Sequence, residues 1–383
     1  MTENKTVRLI AKTLTGLEEV LATELQQLGA SNIKILKRGV EFFGNKELIY
    51  RANYRLRTAI NVLKPIKTFE ANTPEELYEG VKDVNWMKLF DIGNTISVNA
   101  TAYNSKLTHT KYIAQKTKDA VADYFRNKFG KRPYVDTENA DVQLFVHINN
   151  NLCELSLNSS GNPLYKRGYR IKTGVAPLNE VLAAGMILLS GWDRNSNFID
   201  PMCGSGTIAI EAAMMALNLP AGFYRKKYSF MYWSDFDRRL WQDIKDETAE
   251  KQREFEGQII AADISPKSIE IAKTNIHNAG LHKDIFVKQI DIANLKPPEG
   301  KGTVIINPPY GERIRTKDIS ALYRKIGDSL KFNFAGYEAR VISSDKEALK
   351  LIGLRPDSRH QLQNGALRCS YFGYKIYEGS RRK

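Results

Sequence analysis

Residues 302–314 read GTVIINPPYGERI, an apolar strand-like run that passes straight into Asn307-Pro308-Pro309-Tyr310. That tetrapeptide suits one difficult reaction, methylation of an exocyclic amine on a nucleic-acid base. The amine is a poor nucleophile because its lone pair is delocalised into the ring. Two acceptors aimed at its N–H bonds, the Asn307 carboxamide oxygen and the Pro308 carbonyl, would draw the nitrogen toward tetrahedral geometry. The lone pair is then free for in-line attack on an activated methyl group. Pro308 and Pro309 stiffen the turn, and Pro309 removes a competing donor. Tyr310 offers an aromatic face to a base taken out of its stack. A bare NPPY also reads as a proline-rich strand cap, so its neighbours must decide.

Two earlier stretches bear on that decision. FIDPMCGSGTIAIEAA, at 198–213, ends a strand at Asp200, turns tightly and opens an apolar helix. Pro201, Cys203, Gly204, Ser205 and Gly206 form the turn, where glycines let a ligand approach the backbone and helix N–H groups favour polar ligand groups. The third glycine of a dinucleotide fingerprint and the GK[ST] of a P-loop are both missing. AADISPKSIEIAKTNIHNAGL, at 261–281, places Asp263 at a strand end, where a carboxylate grips ribose hydroxyls, with Ile264 beside it. Asp291, followed by Ile292, ends the next strand and suits an adenine amino group. Taken singly, each acid more often reads as a surface loop carboxylate.

The elements that must position these groups change character along the chain. Residues 1–65 read as a small α/β unit: the strand VRLIA, a helix carrying Leu17, Leu21, Leu25 and Leu28, the strands IKIL and VEFF, and a helix from Lys46 to about Val62. Residues 66–160 form a second unit, with Thr73-Pro74 opening a helix, TISVNATA a strand, a long helix to Phe129, and QLFVHI and LCELSL paired about an asparagine turn. From 161 to 383 strands alternate with helices, which implies a parallel sheet. NFID, QIIAADI, DIFVKQID, GTVIIN and ARVISS are its strands. A closing hairpin is expected at Asn364-Gly365 as a type I′ turn. Because Asp263 lies far beyond Asp200, an insertion is expected at 220–257.

Composition narrows the class. The 383 residues are 42% hydrophobic and 26% charged, a globular balance. No apolar run approaches the ~20 residues that span a bilayer, and no signal-peptide layout opens the sequence. Three scattered cysteines and five histidines suggest neither a disulfide frame nor a metal site. A cytoplasmic protein without bound metal is expected. The net charge of +14 is spread over both halves, which fits a polyanionic partner as well as a merely basic surface.

Taken in order, these motifs resemble class I S-adenosylmethionine-dependent methyltransferases acting on exocyclic amines. With YKRGYRIKTGVAPLNEVLAAGMILLSGW at 165–192, the match narrows to the THUMP-containing family that methylates guanine N2 in bacterial 23S rRNA. The resemblance implies an α/β architecture: a ferredoxin-like unit, a THUMP RNA-binding unit over NATAYNSKLTHTKYIAQKTKDAV, and a Rossmann-like catalytic domain whose final strand is antiparallel. By motif position it assigns Asp200, Pro201, Cys203, Gly204, Ser205 and Gly206 to the methionine end of S-adenosylmethionine. Asp263 and Ile264 go to the ribose, Asp291 and Ile292 to the adenine, and Asn307, Pro308, Pro309 and Tyr310 to the target base, with Asn307 also bordering the cofactor. A second, fused methyltransferase domain, present in some members, is not expected here.

Ribosomal RNA, or a large-subunit precursor, is the partner this implies. Lys166, Arg167 and Arg170 form a basic strip that reads as an RNA contact or an ordinary linker. Arg225, Lys226 and Lys227 alternate with aromatics in AGFYRKKYSFMYW, which reads as RNA stacking or as packing of an insertion. Two rivals stand beside the guanine-N2 reading. One is an adenine-N6 methyltransferase of DNA or RNA, which shares the NPPY chemistry. The other is a non-catalytic RNA-binding assembly factor.

Overall fold

The computed structural model describes residues 5–173, 178–309 and 316–377. Its α/β chain divides into two compact units, one built from residues 1–13, 21–164 and 225–247, the other from 14–20, 165–224 and 248–383.

In the first unit, strands β1 (Val7–Lys12), β2 (Ser31–Leu36), β3 (Gly39–Gly44), β4 (Asn61–Glu70), β5 (Ile96–Tyr103), β6 (Val142–Asn149) and β7 (Leu152–Asn158) make one sheet, ordered β2-β3-β1-β4-β7-β6-β5. The sheet is covered by helices that include α2 (Lys46–Arg55), α3 (Pro74–Lys82) and α4 (Thr110–Phe129), while α1 spans Glu18–Gln27. Thr73 caps α3 through its hydroxyl, which accepts from Glu76 N at 3.2 Å, as the Thr-Pro signal anticipates. The helix expected to reach Val62 stops at Arg55. Its supposed last turns belong to β4, whose Pro65 sits at a register shift against β7, the kind of place a strand tolerates a missing donor. Pairing of β4 with β7 therefore joins the two N-terminal portions expected from the sequence, 1–65 and 66–160, into one sheet.

The second unit holds β8 (Asn197–Asp200), β9 (Ile259–Asp263), β10 (Ile285–Gln289), β11 (Gly302–Ile306), β12 (Tyr337–Ser343), β13 (Ser358–Asn364) and β14 (Leu367–Lys375), ordered β10-β9-β8-β11-β12-β14-β13. β8 to β12 run parallel, and β14 runs against β12. The helices α5 (Glu180–Ser190), α6 (Thr207–Ala216), α8 (Pro266–Asn278), α9 (Thr316–Asn333) and α10 (Lys346–Lys350) complete it. The burial of β11 and of all of α6 explains why these segments are largely apolar, Glu211 being the one charged residue in them. In the closing hairpin Asn364 pairs with Leu367, so Gly365 and Ala366 occupy the centre of the turn. Only Gly365 of these two has positive φ, 60°, so the expected type I′ geometry gives way to a turn with glycine first.

The insertion has the largest departure. Residues 225–247, including most of α7 (Arg238–Glu250), belong to the first unit, where Tyr228, Phe230, Trp233 and Trp241 join the core. Among the described residues no helix is long and apolar enough to cross a membrane.

Candidate active site

Strand order reverses between β8 and β11, and the second unit opens a crevice at the carboxyl ends of its strands there, where open α/β sheets bind ligands. The cavity, about 520 Å³, is walled by the 201–205 turn, Asp263 and Ile264, Asp291 and Ile292, and Asn307, Pro308 and Pro309. Eleven of the positions read from the sequence thus meet in one place.

The turn is held by its own chemistry. Cys203 N donates to Ala262 O at 2.8 Å and Gly204 N to the Asp263 carboxylate at 3.0 Å. Gly204 and Gly206 carry φ of 53° and 80°, which favour glycine over any L-residue. The other Asp263 oxygen accepts from Ser265 N at 2.9 Å, so the carboxylate is oriented before any ligand arrives. Asp291 is fixed similarly, by Ala293 N at 2.9 Å and the Lys325 ammonium at 2.8 Å. Burial works to raise its pKa, but Lys325 and the Ala293 N–H prevail and hold it below the usual carboxylate range. Asn307 presents a buried Oδ1 that accepts no hydrogen bond from the described residues.

Asp200 differs from its expected place. It is 0% exposed and lies outside the cavity lining, and neither carboxylate oxygen meets hydrogen-bond geometry with a donor among the described residues. Burial, reinforced by the Asp263 charge, pushes its pKa well up. Gly206 is likewise outside the lining; it starts α6, packed on Ala272 and Ile276. Burial also drives the Cys203 thiol well up, which leaves it a neutral wall rather than a nucleophile. Tyr310 lies outside the described residues. No group of three or more metal-type side chains occurs among those described.

Family models for an RlmL ferredoxin-like domain, a THUMP domain and an RMKL-like methyltransferase domain match residues 8–63, 71–158 and 167–372. The chain belongs to the THUMP-bearing RMKL-like methyltransferases. It is 36% identical over 364 residues to a candidate RNA methyltransferase of Synechocystis sp., slr0064, with 94% of this chain and 95% of that protein covered. It is 38% identical over 369 residues to the ribosomal RNA large subunit methyltransferase K/L of Methylococcus capsulatus. That match takes in 94% of this chain but 50% of the longer relative. SMU.472, a candidate methyltransferase crystallised with SAH, superposes with a TM-score of 0.89 at 29% identity, covering 98% of this chain and 100% of the other.

Within this methyltransferase the expected RNA contacts fare unevenly. Arg167 requires correction: it is 1% exposed and ion-paired at 3.2 Å with Glu211, itself 0% exposed, so it cannot reach a phosphate. The Arg170 guanidinium is engaged by Leu178 O, the Thr207 hydroxyl and Glu180. Arg225 also requires correction, because it is half-buried and donates to the carbonyls of Ser160, Asn162 and Pro163. Lys227 pairs with Asp141 at 2.8 Å. Lys166 and Lys226 are exposed. The stretch is aromatic because it fills a core.

Leu178, Thr207, Ser268, Leu322 and Lys325 also line the cavity and were not singled out from the sequence. Leu178 falls within the stretch that carried the family resemblance; Lys325 has no such signal. Glu180, behind Leu178, supplies a pH test. Burial pushes its carboxyl up to about 7, Arg170 acting against and Glu211 with the shift. Between the ordinary value of 4.5 and about 7 the folded chain binds more protons than the unfolded one, so stability falls as pH rises. The Glu180→Gln variant is expected to lose up to about 3 kcal/mol of that decline. Urea unfolding of both proteins from pH 4.5 to 7.5 measures it, and parallel pH profiles would refute it.

Proposed function

We propose that this methyltransferase transfers the methyl group of S-adenosylmethionine to the exocyclic N2 of a guanine in large-subunit ribosomal RNA. The observation that carries the proposal is the buried Asn307 Oδ1, an acceptor without a donor among the described residues, placed on the same cavity as Asp263 and Asp291. A buried acceptor left unmatched is costly in a folded protein, and the N–H of a ligand relieves it.

The residues fit an adenosyl donor. Asp263 spends one hydrogen bond per oxygen on the backbone and keeps acceptor capacity for two ribose hydroxyls. Ile264, 64% exposed at the cavity edge, and Ile292 supply apolar surface for a purine, and Asp291 an acceptor for its amino group. Bound there, S-adenosylmethionine supplies an electrophilic methyl carbon on a sulfonium. Asn307 Oδ1 and the Pro308 carbonyl accept the two N–H bonds of the target amine and steer its lone pair toward that carbon. Pro308 and Pro309 keep the turn from rearranging as the base enters. Tyr310 stacks on the extruded base. The product ammonium sheds its proton to water, so no dedicated base is required.

RNA as the substrate is supported by the THUMP match and by the names of the Synechocystis and Methylococcus relatives. The choice of guanine N2 rests on the family resemblance of the motifs. Purified protein, methyl-labelled S-adenosylmethionine and unmodified ribosomal RNA or large-subunit precursor are expected to yield N2-methylguanosine on nucleoside mass analysis. The same nucleoside should be missing from one position in cells lacking the protein. Label in N6-methyladenine or in DNA would overturn the proposal. Absence of S-adenosylmethionine binding by calorimetry would favour an assembly factor instead.

A further inference from the structure

Asn275 is 1% exposed on α8 and does not itself line the cavity. Its carboxamide oxygen accepts from Ile171 N and Lys172 N, both at 3.1 Å. Its nitrogen donates to Lys172 O and Ser205 O, both at 3.0 Å. Two acceptor sites and two donors are the full capacity of an amide, and here all are used. Ser205 belongs to the glycine-rich turn. Residues 171–172 adjoin Arg170, whose guanidinium holds Leu178 O at 2.7 Å and the Thr207 hydroxyl at 2.8 Å. Leu178, Ser205 and Thr207 are all cavity wall. One side chain therefore ties the turn to the segment that braces the opposite side of the same wall.

The rest of α8 presses on the turn as well. A Cβ built on Gly206 would meet Ala272 at 3.4 Å and Ile276 at 3.6 Å, so the helix and the turn are in direct contact. Asn278, one turn on from Asn275, donates to Tyr169 O at 2.7 Å and holds the same segment at a second point.

We infer that Asn275 is a positioning residue for the methyl donor. By clamping the Ser205 carbonyl against residues 171–172, it fixes the glycine-rich turn in the shape that receives the amino-acid end of S-adenosylmethionine, without touching it. This rests on the function proposed above. Removing the two donors leaves Ser205 O and Lys172 O without their buried partner, and the turn relaxes toward whatever else satisfies them.

The Asn275→Asp variant keeps shape and the acceptor for Ile171 and Lys172 but loses both donors. The dissociation constant for S-adenosylhomocysteine by calorimetry is expected to rise about tenfold or more, and KM for the donor in proportion. With saturating donor, kcat should stay within about twofold of the parent, and KM for RNA should not move. A merely structural residue would lower the folded fraction and leave the affinity of the folded protein unchanged; that outcome overturns the inference. Should the variant not fold, amide exchange in the parent protein decides. Ile171 and Lys172 are expected to exchange more slowly once S-adenosylhomocysteine is added, and unchanged exchange overturns the inference. The parent protein failing to bind S-adenosylhomocysteine would sink the proposed function itself. A parent that binds, beside an Asn275→Asp variant that binds equally well, would sink only the role of Asn275.

Discussion

Replacing Asn307 by alanine is expected to lower kcat about a hundred- to a thousandfold while leaving the affinity for S-adenosylhomocysteine within a few-fold of the parent. The asymmetry follows from where the charge changes. Asn307 Oδ1 is buried and accepts no hydrogen bond from the described residues, so on the proposed function it serves a ligand rather than the fold. Its benefit grows as the target nitrogen loses conjugation and its N–H bonds become more acidic, a gain made in the transition state and not on donor binding. On the proposed function, donor affinity resides elsewhere, in Asp263, Asp291 and the turn that Gly204 shares with Asp263. Single-turnover measurements with saturating RNA, beside calorimetry with S-adenosylhomocysteine, separate the two effects. Turnover within tenfold of the parent would remove Asn307 from the chemistry. A matched collapse of affinity and turnover would instead make it a donor-binding residue.

How much of this was legible in the residues depends on whether a local pattern implied its partner. The NPPY turn, the glycine-rich turn and the two strand-end acids each follow a strand, and parallel strands deliver their carboxyl ends to one edge; reading the strands was enough to gather the site. Lys325 pairs with Asp291 from α9, and nothing in its sequence spacing distinguishes it from other solvent-side lysines. The insertion was visible as extra length but not as a guest: its aromatics complete the core of the first unit, a long-range fact that no local periodicity carries. Pro65 was the available clue against continuing α2 toward Val62, since a strand can place proline at a bulge.

The misread arginine points to the second large effect. YKRGYR looks like an RNA-facing strip because five of its six residues are basic or aromatic and nothing nearby in sequence answers them. The answer lies 44 residues on, at Glu211, in a helix otherwise composed of small and apolar residues. An acid in such a helix needs a buried partner, and that demand was the overlooked signal. Arg167 meets Glu211 at 3.2 Å, and the Tyr169 hydroxyl donates to the same carboxylate oxygen at 3.1 Å. With exposures of 1% and 0%, water does little to relieve a broken pair. Arg167→Ala is therefore expected to cost about 3–5 kcal/mol, seen as a lower urea midpoint with an unchanged slope. Much of that is the stranded Glu211 charge rather than the worth of the pair, so Arg167→Met with Glu211→Leu should recover most of the loss. Since α6 opens at Thr207 on the cavity wall, the single variant should also weaken S-adenosylhomocysteine binding, and the double variant restore it. A single variant as stable as the parent, or a double variant no better than the single, would show that Arg167 is not held in the interior by Glu211.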